Sequence, residues 1–156
     1  MATANITRDE AQQRSEVIAT ESYRVSVDLT GRNVAEPDRQ FLSTTSVHLN
    51  STGGDTHLDI IADEILSATL DGDEFDVSDY DGYRLPLPQL ERGEHTIDVV
   101  AVCRYSHTGE GLHRFVDPID DRVYLYSQFE VADARRMYAT FEQPDLKATF
   151  QLSVLA

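Results

Sequence analysis

Alternating apolar and polar residues recur along the chain and predict a protein built mostly of β-strands. Tyr23, Val25 and Val27 alternate with polar residues, so one face of this segment can be buried while the other contacts water. The pattern returns at residues 41–49, 58–61, 65–70, 95–105, 123–130 and 148–154. Because turn-forming residues separate these segments at intervals of about ten residues, we predict an all-β fold, an antiparallel β-sandwich or saddle-shaped sheet.

Three segments depart from this simple alternation. Thr7 and Glu10 form the capping-box pattern that begins a helix, which predicts a short amino-terminal helix before the strands. Residues 75–87 contain the turn pair Asp81-Gly82 and predict a hairpin, with Pro86 confining its second arm to a sheet edge. Residues 106–121 contain glycine, proline and several aspartates, which predict a long loop.

Composition indicates one domain and narrows the range of partners. The 156 residues are 40% hydrophobic, which suits a single buried core. Thirteen basic against 28 acidic residues give a net charge of -15, which disfavours nucleic acid and anionic membranes as partners. Cys103 is the only cysteine and lies in an apolar strand, so we predict a buried thiol. Without a signal-peptide pattern, a cytoplasmic location is expected.

The sequence contains no complete catalytic or metal-binding motif. Its five histidines show no His-Glu-x-x-His spacing. A glycine-rich phosphate loop and a G-x-S-x-G nucleophile elbow are also absent from the sequence. We therefore expect no catalytic residue and no metal ligand within these residues.

An ordered series of motifs occupies the last third of the chain. It consists of GEGLHR (109–114), YSQFE (126–130), DARR (133–136) and QPDLKATF (143–150). In order and spacing the series resembles the end of the amino-terminal domain of aminopeptidase N-type, or M1, zinc enzymes. Ser127 stands where threonine is commoner in that family, and Glu142-Gln143 replaces Asp-Glu, but the Gln-x-Glu pair is unchanged.

The resemblance implies that residues 1–156 are one amino-terminal β-domain of a zinc metalloaminopeptidase, which removes amino-terminal residues from peptides. The zinc motif and the Gly-x-Met-Glu-Asn substrate motif of the family would lie in a catalytic domain beyond Ala156. The domain alone is therefore expected to be inactive and zinc-free. Its expected partners are the peptide substrate and the catalytic domain of the same protein.

Gln128 and Glu130 are the predicted substrate-binding residues. On a strand they would share a face with Tyr126, whereas the opposite face can contact the core. A peptide α-ammonium, with a pKa of about 8, can donate hydrogen bonds to a carboxylate and to a neighbouring amide oxygen. In the family, the matching residues help to bind the substrate's amino terminus. From the residues alone, Glu130 could instead cap the following turn or pair with Arg135 or Arg136.

Several alternatives stay open at this point. Glu110, His113, Arg114 and Asp117 could lie near the cleft rim or a domain interface, or could simply stabilise their own loop. The parent could be a non-catalytic relative that uses this domain as a scaffold for protein contacts. It could also belong to the epoxide-hydrolase branch of the superfamily, which tends to have glutamine where Glu130 stands and is therefore disfavoured.

Overall fold

The computed structural model describes residues 5–156 and consists mostly of β-strands that follow one α-helix. The elements are α1 (Arg8–Val17), β1 (Ile18–Asp28), β2 (Gln40–Gly54), β3 (His57–Asp59), β4 (Glu64–Leu70), β5 (Asp73–Glu74), β6 (Arg84–Pro86), β7 (Leu90–Arg104), β8 (Gly111–Val116), β9 (Val123–Gln128), a 3-10 helix (Ala134–Arg136) and β10 (Thr149–Leu155). The predicted all-β fold with a short amino-terminal helix is confirmed.

The main sheet contains six strands in the order β10-β1-β2-β7-β4-β5. Its neighbours pair antiparallel except β1 and β10, which run parallel with Tyr23 opposite Phe150. Strand β3 pairs with β6, and β8 pairs with β9, in separate two-stranded sheets. The parallel pair departs from the predicted antiparallel arrangement. It can form because residues 29–148 lie between the two strands, far more than the dozen or so residues that a parallel crossover needs.

The hydrophobic core lies against one face of the main sheet. Tyr23, Val25 and Val27 of β1 are buried, as their alternation predicts. The same cluster includes residues from the other sheet strands, from the β3–β6 pair and from the segment after β9; its members include Phe41, Val47, Leu49, Leu58, Ile60, Leu85, Ile97, Val99, Met137, Tyr138 and Phe141. Cys103 is fully buried in this core, which confirms the predicted buried thiol.

The predicted capping box begins α1. The Thr7 side chain accepts a hydrogen bond from the Glu10 backbone, and the Glu10 carboxylate accepts one from the Thr7 backbone. Glu10 also pairs with Arg84 at 2.7 Å, and the bonds from Arg84 and Thr7 lower the pKa of Glu10 to about 2. The helix is thereby tied to β6. No helix within residues 5–156 is long and apolar enough to span a membrane.

A buried ion pair joins α1 to β3. Arg14 Nη1 donates to Asp59 Oδ2 at 2.8 Å, and both side chains are only 2% exposed. The Glu142 backbone N–H donates to the same oxygen at 2.9 Å. Burial raises the pKa of Asp59, but hydrogen bonds from His57 and Glu142 and the charge of Arg14 outweigh it, so the net pKa is lowered. One carboxylate therefore connects three separate parts of the chain.

Two predicted local structures are wrong. Residues 75–80 do not form a strand: Tyr80 turns its hydroxyl to the Ala62 backbone, and β6 pairs with β3 instead. The predicted loop 106–121 contains strand β8, which pairs with β9. In the first case the pairing partner of β6, strand β3, lies well before it in the chain. In the second case the turn-forming residues hid a strand, Gly111–Val116, that pairs with the next strand along the chain.

Candidate functional site

The β8–β9 hairpin carries the first of the two predicted substrate-binding residues. Its register places Gly111 opposite Gln128 and His113 opposite Tyr126. The rings of His113 and Tyr126 pack with centroids 4.6 Å apart, and the Gly109 backbone donates to His113 Nδ1 at 3.1 Å. Gln128 follows Tyr126 by two residues and is the last residue of β9. The whole of β9 is exposed, including the face expected to contact the core.

Glu130 lies beyond the end of β9, in a tight turn, and not on the strand face predicted for it. The turn is closed by a hydrogen bond from the Asp133 backbone to the Phe129 carbonyl at 3.1 Å. The Glu130 backbone donates to Gln128 Oε1 at 3.2 Å, so the two predicted residues contact each other. Phe129 packs edge-on against Tyr138, with centroids 5.8 Å apart. The turn is thus attached to the core beside Glu130.

The Glu130 carboxylate is exposed and has no ion-pair partner within residues 5–156. The two arginines considered as its partners make other contacts. Arg136 Nε donates to Asp133 at 2.7 Å, and Arg135 Nη2 donates to the Asn5 side chain at 2.7 Å. The negative charge of Glu130 therefore remains available to a cationic group from outside these residues.

Behind the turn lies a second carboxylate, Glu142, which the sequence reasoning did not select. Its Oε2 accepts a hydrogen bond from the Arg135 backbone at 2.8 Å. Burial raises the pKa of Glu142, and the negative charges of Asp59 and Asp133 add to that effect. The only sequence signal for this residue is its position in the EQP run, three residues before Asp145.

The other candidate residues of this region make mostly local contacts. The Thr108 hydroxyl donates to the Glu110 carboxylate and lowers the pKa of that group. Asp117 accepts a hydrogen bond from the Ile119 backbone at 2.8 Å. Arg114 is the exception, since it pairs with Asp38 of the β1–β2 connection at 2.7 Å. These contacts support the structural interpretation of the segment.

The described part of the chain offers no metal centre. Within residues 5–156, no group of three or more His, Cys, Asp or Glu side chains is placed to hold a metal ion. The histidines that contact carboxylates do so in simple pairs, such as His95 with Asp71 at 2.6 Å.

The edge strand β10 exposes an apolar surface that continues the core face of the sheet. Phe150, Leu152 and Val154 lie opposite the buried residues Tyr23, Val25 and Val27 of β1. Yet the three β10 side chains are 57%, 59% and 55% exposed. Phe150 stacks on Tyr23, with centroids 4.7 Å apart, but it is as exposed as the other two side chains. We refer to Phe150, Leu152 and Val154 as the β10 surface.

This arrangement corresponds to a known domain type. The family model of the peptidase M1 N-terminal domain matches residues 19–156, which is most of the chain. The chain belongs to the peptidase M1 N-terminal domain family. The resemblance drawn from the motifs of residues 109–150 is thereby confirmed.

Curated relatives of this M1 domain are longer proteins. An aminopeptidase N from Streptomyces lividans is 48% identical over 155 residues, which cover 97% of this chain and 18% of that protein. An aminopeptidase N from Acetobacter pasteurianus is 30% identical, over 92% of this chain and 42% of that protein. The M1 domain thus spans less than half the length of either relative.

A solved structure shows the same fold. The aminopeptidase A of Legionella pneumophila, crystallised in complex with aspartic acid, superposes with a TM-score of 0.69 over 88% of this chain and 16% of that chain. Because the two sequences are only 13% identical there, the likeness concerns the fold alone. It agrees with the all-β architecture described above.

Proposed function

We propose that this M1 domain is part of a zinc aminopeptidase and that Gln128 and Glu130 bind the α-ammonium group of the peptide substrate. The observation that carries the proposal is the exposed Glu130 carboxylate, which has no ion-pair partner within residues 5–156 and contacts Gln128. The aminopeptidase names of the two curated relatives support the activity.

The chemistry of the pair suits a protonated amine. The Glu130 carboxylate supplies the opposite charge and accepts charge-assisted hydrogen bonds. Gln128 Oε1 already accepts one bond, from the Glu130 backbone at 3.2 Å, and its second lone pair can accept another from the ammonium group. Only the first residue of a peptide has a free α-ammonium, so such a pair selects the amino terminus.

The rest of the proposed machinery lies outside these residues. Zinc, which the resemblance to this enzyme class implies, would be held by another domain of the protein, since the described residues form no metal site. The isolated chain is accordingly expected to show no peptidase activity. A cytoplasmic location and the absence of nucleic-acid or membrane partners remain predictions from the sequence.

Contact with that other domain is supported by the β10 surface. Apolar side chains that are more than half exposed on a row continuous with the core normally face a partner. The exposed hairpin residues Phe115, Tyr124 and Tyr126 add a second apolar area beside Gln128. We propose that both areas pack against the catalytic domain.

The test is Glu130→Ala in the full-length protein, assayed on an aminoacyl p-nitroanilide. An ammonium group buried without its counter-charge costs about 3–5 kcal/mol, so kcat/KM should fall roughly 150-fold to 4,000-fold. The melting temperature should not change, because the side chain is exposed. Glu94→Ala removes another exposed glutamate and serves as the matched control. Wild-type kinetics for Glu130→Ala would refute the proposed role.

A further inference from the structure

We propose that Glu142 is a positioning residue, which fixes the turn that carries Glu130 and so aims the Glu130 carboxylate at the substrate. This inference rests on the proposed function of Glu130. Glu142 does not contact the substrate in this scheme. It acts through the backbone of Arg135, five residues after Glu130 in the chain.

The turn is held from both ends. At the base, the Asp133 backbone donates to the Phe129 carbonyl at 3.1 Å. Two residues later the Arg135 backbone is held on both sides: its N–H donates to Glu142 Oε2 at 2.8 Å, and its carbonyl accepts from the Ile61 backbone at 2.7 Å. The turn has little freedom, because one bond closes it on itself and two others attach its carboxyl-terminal side to Glu142 and Ile61.

Glu142 is itself fixed by the buried ion pair. Its backbone N–H donates to Asp59 Oδ2 at 2.9 Å, and Arg14 donates to the same oxygen at 2.8 Å. The Asp59 backbone also exchanges two hydrogen bonds with Thr140. A continuous series of bonds therefore runs from α1 through Asp59 and Glu142 to Arg135. The position of the turn is set by the rigid part of the domain.

The carboxylate of Glu142 occupies this place at an energetic cost. Burial raises its pKa, which means that the surroundings disfavour its charged form. The carboxylate accepts the hydrogen bond from the Arg135 N–H. Without this bond, the backbone at Arg135 could move. Displacing a binding group by about 1 Å can cost a hundredfold in rate, so the turn must be held accurately.

The first experiment compares three variants of the full-length protein on the same p-nitroanilide. Glu142→Ala should lower kcat/KM about tenfold or more, in line with the loss of one charge-assisted hydrogen bond. Glu142→Gln should restore most of the activity, because its amide oxygen can still accept from Arg135. The matched control is Asp71→Ala, since Asp71 also accepts a backbone N–H at 2.8 Å, from Thr96, at the opposite edge of the main sheet. It should lower only the melting temperature.

The second experiment separates positioning from stability by combining Glu142→Ala with Glu130→Ala. If Glu142 acts through Glu130, adding Glu142→Ala to Glu130→Ala should lower kcat/KM no more than about twofold further. Full additivity of the two losses, or wild-type kinetics for Glu142→Ala, would overturn this inference. Wild-type kinetics for Glu130→Ala would instead overturn the proposed function. If Glu142→Ala does not fold, Glu142→Asp, which shortens the side chain by one methylene, replaces it in the cycle with the same expectations.

Discussion

The buried ion pair between Arg14 and Asp59 offers a sharp test of how the domain is held together. Asp59→Asn removes the negative charge but keeps the size of the side chain. The Arg14 side chain is only 2% exposed, and it would keep its positive charge in the interior after losing the carboxylate that lies 2.8 Å away. The Glu142 backbone N–H, which donates to the same carboxylate at 2.9 Å, would lose part of its bond strength as well.

The expected destabilisation is about 3–5 kcal/mol, the usual cost of breaking a buried pair by removing one partner. Domains of this kind unfold with a free energy of about 5–15 kcal/mol, so the loss is a large part of the total. For a chain of this length each kcal/mol corresponds to roughly 2–4 °C, which predicts a melting temperature lower by about 6–20 °C.

Thermal unfolding followed by circular dichroism measures this change, and the chain offers a matched control. Asp63 and Arg104 also pair at 2.8 Å, but their side chains are 28% and 54% exposed. Asp63→Asn should therefore cost less than about 1 kcal/mol, because solvent screens the pair. If Asp59→Asn costs no more than Asp63→Asn, burial does not determine the strength of these pairs and the reasoning is wrong.

Two further predictions concern titratable groups. Burial lowers the pKa of His95, but hydrogen bonds to the Asp71 carboxylate and the Glu91 carbonyl outweigh burial, so the folded-state pKa lies above the ordinary value of 6.5. The protonated ring therefore stabilises the fold below pH 6.5, and this stabilisation is lost as the pH rises through the folded-state pKa. His95→Gln should therefore lower the melting temperature more at pH 6 than at pH 9, and a pH-independent difference would contradict this. Burial raises the pKa of Cys103 to about 12. Dithionitrobenzoate at pH 8 should leave the native thiol unmodified and react after denaturation; rapid native labelling would disprove the prediction.

The candidate site shows how far sequence reasoning reaches. The Gln-x-Glu pattern and its neighbouring motifs led to the prediction that Gln128 and Glu130 bind substrate. The family match confirms the resemblance behind that prediction, whereas the role of the two residues stays a prediction. Period-2 alternation placed Glu130 on the strand face, but β9 ends at Gln128 and the chain turns. That turn is closed by a bond from Asp133 to Phe129 and is attached to the core by the packing of Phe129 against Tyr138, neither of which the period-2 alternation records.

Glu142 could not have been selected from the sequence. A glutamate before Gln-Pro-Asp carries no sign of burial, and its contacts reach back to Asp59 and Arg135. The same holds for Arg14 of α1, whose partner Asp59 lies 45 residues away. Such contacts are created only when distant segments pack together.

By itself, the sequence determined the features that depend on neighbouring residues. These are the capping box of α1, the buried faces of β1 and β2, the buried Cys103 and the motif series of the last third. The tertiary structure decided which strands pair, that β10 runs parallel to β1, and that the β10 surface is left open. The physical reason is that alternation indicates only which face of a strand is apolar. Which strands pair, and which apolar faces are buried by other segments, depends on residues far apart in the chain.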